Sequence, residues 1–162
     1  MNNIDDDNNR FVISHTLQIL GAYSKAAENL LLITINLQSD DTTPGDSSGL
    51  GIYKIGADTH LHLWDDYLAF NPDLASTVRG LASQQPFLQK PHLELITNQA
   101  YATAIAWMIY QRSELILPSA NNVTQLTACW AKHFATRAEQ KAVKKAARQA
   151  HHQPLKLAAC RA

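Results

Sequence analysis

The sequence predicts an all-α domain followed by a basic C-terminal helix. Three observations lead there. Apolar residues recur at three- and four-residue steps in one segment after another, the period of a helix with one buried face. No stretch of useful length alternates apolar and polar residues as a strand would, and no internal repeat is present. Helix breakers cluster between the periodic segments: Pro44 with Gly45, Pro86 with Pro91, and Pro118 with Asn121-Asn122. With 162 residues, 46% of them hydrophobic and 17% charged, the chain is long enough to bury one core, and wholesale disorder is not expected.

Taken in order, residues 1–9 are polar and read as a flexible N-terminus. Val12, Ile13, Leu17 and Leu20 mark a helix from Arg10 to Tyr23, with Gly21 as its stop. Ser24 is placed to cap a second helix with Glu28 in its first turn. That helix carries Leu30, Leu31, Ile33 and Leu37 and is apolar on most sides, so it should be central, although β-branched Ile33-Thr34-Ile35 would also suit a strand. Residues 40–51 form a polar loop, and Gly51 to Ile55 a short extended piece. Thr59 is the expected cap of a helix through Leu63, Trp64, Tyr67 and Leu68, and Asn71-Pro72 opens another through Leu74, Ala75, Val78 and Leu81. Residues 84–91 read as a loop. Leu93 to Arg112 read as one long helix whose alanines permit close packing, and Val123 to Phe134 as the next, with Leu126, Trp130 and Phe134 four residues apart. Residues 137–162 are rich in good helix formers with little apolar surface, the pattern of a helix that awaits a partner.

Net charge is zero but unevenly spread. The first 60 residues carry eight acidic and three basic side chains, and residues 135–162 carry seven basic and one acidic. Lys141, Lys144, Lys145 and Arg148 are therefore candidate contacts to nucleic acid or to an acidic protein surface; a solvated helix face is the plainer alternative. The N-terminus lacks the basic and apolar regions of a signal peptide, no apolar run approaches membrane-spanning length, and Cys129 and Cys160 form no metal or redox motif. Synthesis in a cytoplasm, with reduced thiols and no cofactor, is the expectation.

Four blocks stand in an order that carries further meaning. The apolar second helix ends in Gln38-Ser39. Gly51-Ile52-Tyr53-Lys54-Ile55 follows the polar loop, and after it come Thr59-His60 and Trp64-Asp65-Asp66-Tyr67-Leu68. Asn98-Gln99-Ala100-Tyr101-Ala102-Thr103-Ala104 forms the third block and Trp130-Ala131-Lys132-His133-Phe134 the last. Across residues 24 to 136 this resembles the lysozyme-like soluble lytic transglycosylases, most closely a phage-encoded group of that type. The resemblance implies a lysozyme-like domain over residues 10–136 and a cleft at the end of the second helix. In the family that helix ends in Glu-Ser, and the Glu is the catalytic acid. Here the position holds Gln38. The family's Gln in the second block is Lys54, and its late Asn-x-x-Tyr, whose Tyr points to the catalytic position, matches Asn98 and Tyr101.

Cleaving a glycosidic bond requires a carboxylic acid whose proton reaches the leaving oxygen. A Gln side chain has no such proton, although it can still donate to and accept from a sugar hydroxyl. The resemblance therefore implies a catalytically degenerate, phage virion-associated or peptidoglycan-binding protein, with Gln38, Ser39, Tyr53, Lys54 and Tyr101 as candidate glycan contacts. Two alternatives stay open: an active enzyme whose acid is Asp40 or Asp41, and an internal virion protein that meets nucleic acid through the basic tail. Tyr53 and Tyr101 read equally as groove aromatics or as core. Trp64, Trp107 and Trp130, at helical spacing among apolar residues, read as core. Glu28 reads as a first-turn partner of the helix dipole. His60, His62, Asp65 and Asp66 are metal-ligand types, but residues two apart on a helix face different directions, so no metal site is expected.

Overall fold

A computed structural model describes residues 3–39 and 49–135 of the chain. The candidate acids Asp40 and Asp41, the basic side chains Lys141, Lys144, Lys145 and Arg148, and Cys160 lie outside the described residues. Among those residues there are eight α-helices and no strand: α1 (Asn3–Ile19), α2 (Lys25–Ser39), α3 (Ala57–Asp66), α4 (Pro72–Gly80), α5 (Gln84–Gln89), α6 (Glu94–Thr97), α7 (Gln99–Gln111) and α8 (Val123–His133). Single 3₁₀ turns at Leu68–Phe70 and Pro91–Leu93 link α3 to α4 and α5 to α6. The all-α expectation holds.

The centre of the fold is α7 rather than α2. Every residue from Tyr101 to Tyr110 is buried, so α7 is covered on all sides. Its small residues Ala102, Ala104 and Ala106 let neighbours approach closely, and α1, α2, α3, α4 and α6 all pack on it. α2 is sandwiched between α1 and α8, burying Leu30, Leu31, Leu32 and Ile35. Its Ile33-Thr34-Ile35 run is helical and packed into the core, where the Thr34 hydroxyl donates to the Leu30 carbonyl at 2.8 Å and the same oxygen meets the Tyr110 hydroxyl at 2.7 Å. No described helix is long and apolar enough to cross a membrane.

Several boundaries depart from the sequence expectation, each for a local reason. α1 begins at Asn3, not Arg10. Asp5 and Asp6 sit in its first turn, where the helix dipole favours negative charge, Asp6 pairs with Arg10 one turn on, and Asn9 accepts a hydrogen bond from Gln99 of α7. Gly56, not Thr59, occupies the N-cap of α3. Residues 84–91 are not a loop but contain α5 and enter the Pro91 turn. The long helix expected from Leu93 to Arg112 is broken at Asn98. The Asn98 carboxamide oxygen accepts from the Tyr101 amide and caps α7, and its nitrogen donates to the Leu81 carbonyl at 2.8 Å and to Glu94 at 2.9 Å. Three well-made hydrogen bonds outweigh continuation of the helix through this residue. Ser24 and Asn122 cap α2 and α8 by the same geometry.

Candidate functional site

α2 delivers Gln38 half-buried and Ser39 exposed at its C-terminal end. The Ser39 hydroxyl is turned back onto the Ile35 carbonyl at 2.8 Å. Residues 50–55 then form a closed turn rather than an extended piece: Leu50 and Ile55 exchange both backbone hydrogen bonds, at 2.9 and 3.0 Å, and Lys54 adopts a positive φ of 48°. Two glycines make this possible. A Cβ on Gly49 would overlap the Lys54 carbonyl, and one on Gly51 (φ 68°) would overlap the Leu95 carbonyl. The turn is thereby pressed onto α6, with Tyr53 driven inward and Lys54 left in solvent.

The two tyrosines singled out from the sequence are both fully buried. The Tyr53 hydroxyl meets Thr103 at 3.1 Å, and burial pushes its pKa up. Tyr101 occupies a separate cluster. No hydrogen bond joins Gln38 to Tyr53, Lys54 or Tyr101 among the described residues, so the candidate contacts do not converge through direct bonds. Trp107 and Trp130 are core residues, whereas Trp64 joins the cluster around Tyr101.

That cluster is the main polar feature of the interior. His60, on α3, is 1% exposed. Its Nε2 lies 2.7 Å from the Tyr101 hydroxyl, and its Nδ1 lies 2.9 Å from Nδ1 of His92 in the Pro91 turn. The Trp64 indole N–H donates to the Tyr101 oxygen at 3.0 Å. Phe87 closes one side, against Trp64 and Tyr101, under the Arg79 guanidinium. An indole can only donate, so one hydrogen arrangement satisfies every group. Trp64 gives to Tyr101, Tyr101 gives to His60 Nε2, and His60 Nδ1–H gives to His92 Nδ1. The opposite arrangement would leave the buried Tyr101 hydrogen without an acceptor. Burial first, and then the neighbouring His92, push the His60 pKa down to about 4. Protonating His60 would set its Nε2–H against the Tyr101 hydrogen, which agrees with that direction.

His92 also lines an open pocket of about 430 Å³ with Leu50, Gln89, Lys90, Pro91, Leu93 and Ile96. Its Nδ1 is held by His60, which leaves Nε2, carrying the hydrogen, as the ring nitrogen without an internal partner. The sequence signalled half of this cluster. His60 and Trp64, four residues apart, share a helix face, but nothing marks His92, 32 residues away, as the partner of His60.

The carboxylates of the interior are committed elsewhere. Glu28 receives Lys25 at 2.6 Å, Arg10 at 3.1 Å and Tyr23 at 3.1 Å. Burial pushes its pKa up, but these hydrogen bonds and the Lys25 charge outweigh it and hold the carboxyl below its ordinary value. Glu94, 1% exposed, accepts from the Ser83 amide and from Asn98. No group of three His, Cys, Asp or Glu side chains converges as metal ligands would among the described residues. Comparison with protein-family models, with curated proteins and with solved structures finds no match.

Proposed function

We propose that this chain is a catalytically degenerate domain of the lysozyme-like lytic transglycosylase type, serving as a peptidoglycan-binding or virion-structural component. The observation that carries the reading is the amide at Gln38. The end of α2 presents a side chain of nearly the size of the family's acid with no proton to give at neutral pH, and General acid catalysis contributes about 10²- to 10⁴-fold. The two buried carboxylates give no substitute. Glu28 is held ionised by cations, and Glu94 is tied to a backbone amide and a carboxamide. The order of the four sequence blocks supports the family reading, and so do the all-helical fold and the glycine-built turn after α2.

The test is turbidity loss of purified sacculi with the wild-type chain and with Gln38→Glu, paired with co-sedimentation on the same sacculi. Expected are no clearing by wild type, binding to sacculi, and a gain of clearing in Gln38→Glu. Clearing by wild type would overturn the degenerate reading and point to Asp40 or Asp41. Absence of both binding and gained activity would remove peptidoglycan from the proposal and leave the structural role.

A further inference from the structure

The pocket beside His92 takes no lining residue from α2, and none of its lining is acidic. Leu50, Pro91, Leu93 and Ile96 give it an apolar floor, and Leu93 and Ile96 remain substantially exposed. Its polar members are Gln89, His92 and Lys90, the last of which makes no ion pair among the described residues. The volume, about 430 Å³, falls within the range of small-molecule sites, and an apolar pocket with a few convergent polar groups is the usual form of such a site.

What distinguishes this pocket from a chance hollow is the support behind His92. A surface imidazole exchanges its hydrogen between two nitrogens. Here Nδ1 is held as an acceptor by His60, which is itself fixed by Tyr101 and Trp64. The chain of donors ends at His92, a residue of the pocket lining, and leaves the hydrogen of that ring on Nε2. The pocket therefore offers an oriented donor and an ammonium group beside apolar walls.

We propose that this pocket binds a small apolar monocarboxylate, its carboxylate taken by Lys90 and His92 Nε2–H and its hydrocarbon body laid along Leu50, Leu93 and Ile96. The ligand is a free carboxylate rather than a glycan, so the proposal goes beyond the reading of the α2 end and does not depend on it.

Octanoate is the probe, titrated calorimetrically into the full chain, with 1-octanol as the uncharged counterpart. Expected is saturable one-to-one binding of octanoate and at least tenfold weaker binding of octanol. Lys90→Met, at an exposed position outside the buried chain, is expected to weaken octanoate at least tenfold and to leave octanol unchanged. Imidazole ¹⁵N resonances should show His92 protonated at Nε2 in the free protein, with that signal moving on addition of octanoate. Absence of saturable binding would overturn the proposal. So would equal affinity for octanol, an unaltered affinity in Lys90→Met, or a His92 ring that does not respond.

Discussion

Two of the polar centres that the molecule buries solve the same problem in opposite ways. At the start of α2, Glu28 keeps its charge and is surrounded by donors: Lys25 and Arg10 reach in from the solvent side, and Tyr23 covers the second oxygen. Between α3, α7 and the Pro91 turn, His60 is equally buried but carries no charge, and its neighbours are an indole, a phenol and a second imidazole. A buried charge demands countercharges, whereas a buried neutral ring demands that each hydrogen point the right way. The first centre is therefore sensitive to salt and to loss of its partners, and the second to protonation and to loss of a single hydrogen-bonding atom.

The largest effect that should separate them is acidification. The folded pKa of His60, about 4, lies below the unfolded value of 6.5, so the unfolded chain binds the extra proton first as pH falls. The contribution is fully present above pH 6.5 and is lost between 6.5 and about 4, amounting to at most about 3 kcal/mol. Glu28, whose pKa is lowered, loses its contribution only below about pH 4.5, so the two windows are nearly sequential. Denaturant titrations at pH 7 and pH 5 would resolve the first window, and His60→Gln should flatten it. Next in size, Tyr101→Phe removes the atom that joins three rings and should cost about 2 kcal/mol by chemical denaturation. The effect is bounded because Trp64 Nε1 already lies 3.3 Å from His60 Nε2 and can take over the bond. Glu28→Gln should cost about 1 to 2 kcal/mol, and the cost should shrink as salt is raised from 0.1 to 1 M, because Arg10 and Lys25 are themselves largely solvated. A cost independent of salt would mean that Glu28 acts through its hydrogen bonds alone. Smallest of all, Gln38→Glu sets a negative charge in the last turn of α2, against the helix dipole, and should cost no more than about 1 kcal/mol, little enough to leave it a usable probe of activity.

What was legible beforehand follows the same division between local and distant chemistry. Ser24, Asn71-Pro72 and Asn122 announced helix starts because a cap, or a proline at the first position, is a property of neighbouring residues. Asn98 uses the same chemistry but sits inside a run of apolar period. Its choice to cap α7 rather than continue a helix is settled by the Leu81 carbonyl, 17 residues away. The Asn-x-x-Tyr block thus has a plain structural meaning here, as a cap three residues ahead of the amide it holds. The glycines at 49 and 51 were legible as the end of a loop, but the backbones they approach, Lys54 for the first and Leu95 for the second, were not. The run from Tyr101 to Tyr110, apolar but for Thr103, was visible, but which of two apolar helices lies at the centre is decided by distant parts of the chain, and small residues let five neighbours crowd onto α7. His92, a half-buried histidine between Pro91 and Leu93, carries no local signature of its role.

The packing of α1 and α2 against α7 and α8 has a consequence for how the chain is made. Translation delivers the first two helices early and they can pack on each other, but the contacts of α1 with α7 and of α2 with α7 and α8 come only later. At about 5 to 20 residues per second, the 60 residues from Ser39 to Gln99 take roughly 3 to 12 s to emerge. Throughout that interval the nascent helical pair lacks the cover that α7 and α8 supply. A fragment ending at residue 98 is accordingly expected to be cut by protease within α1 and α2 where the complete chain resists. For this domain the dangerous moment is the middle of synthesis, and the cell's chaperones would meet it as an unfinished helical hairpin.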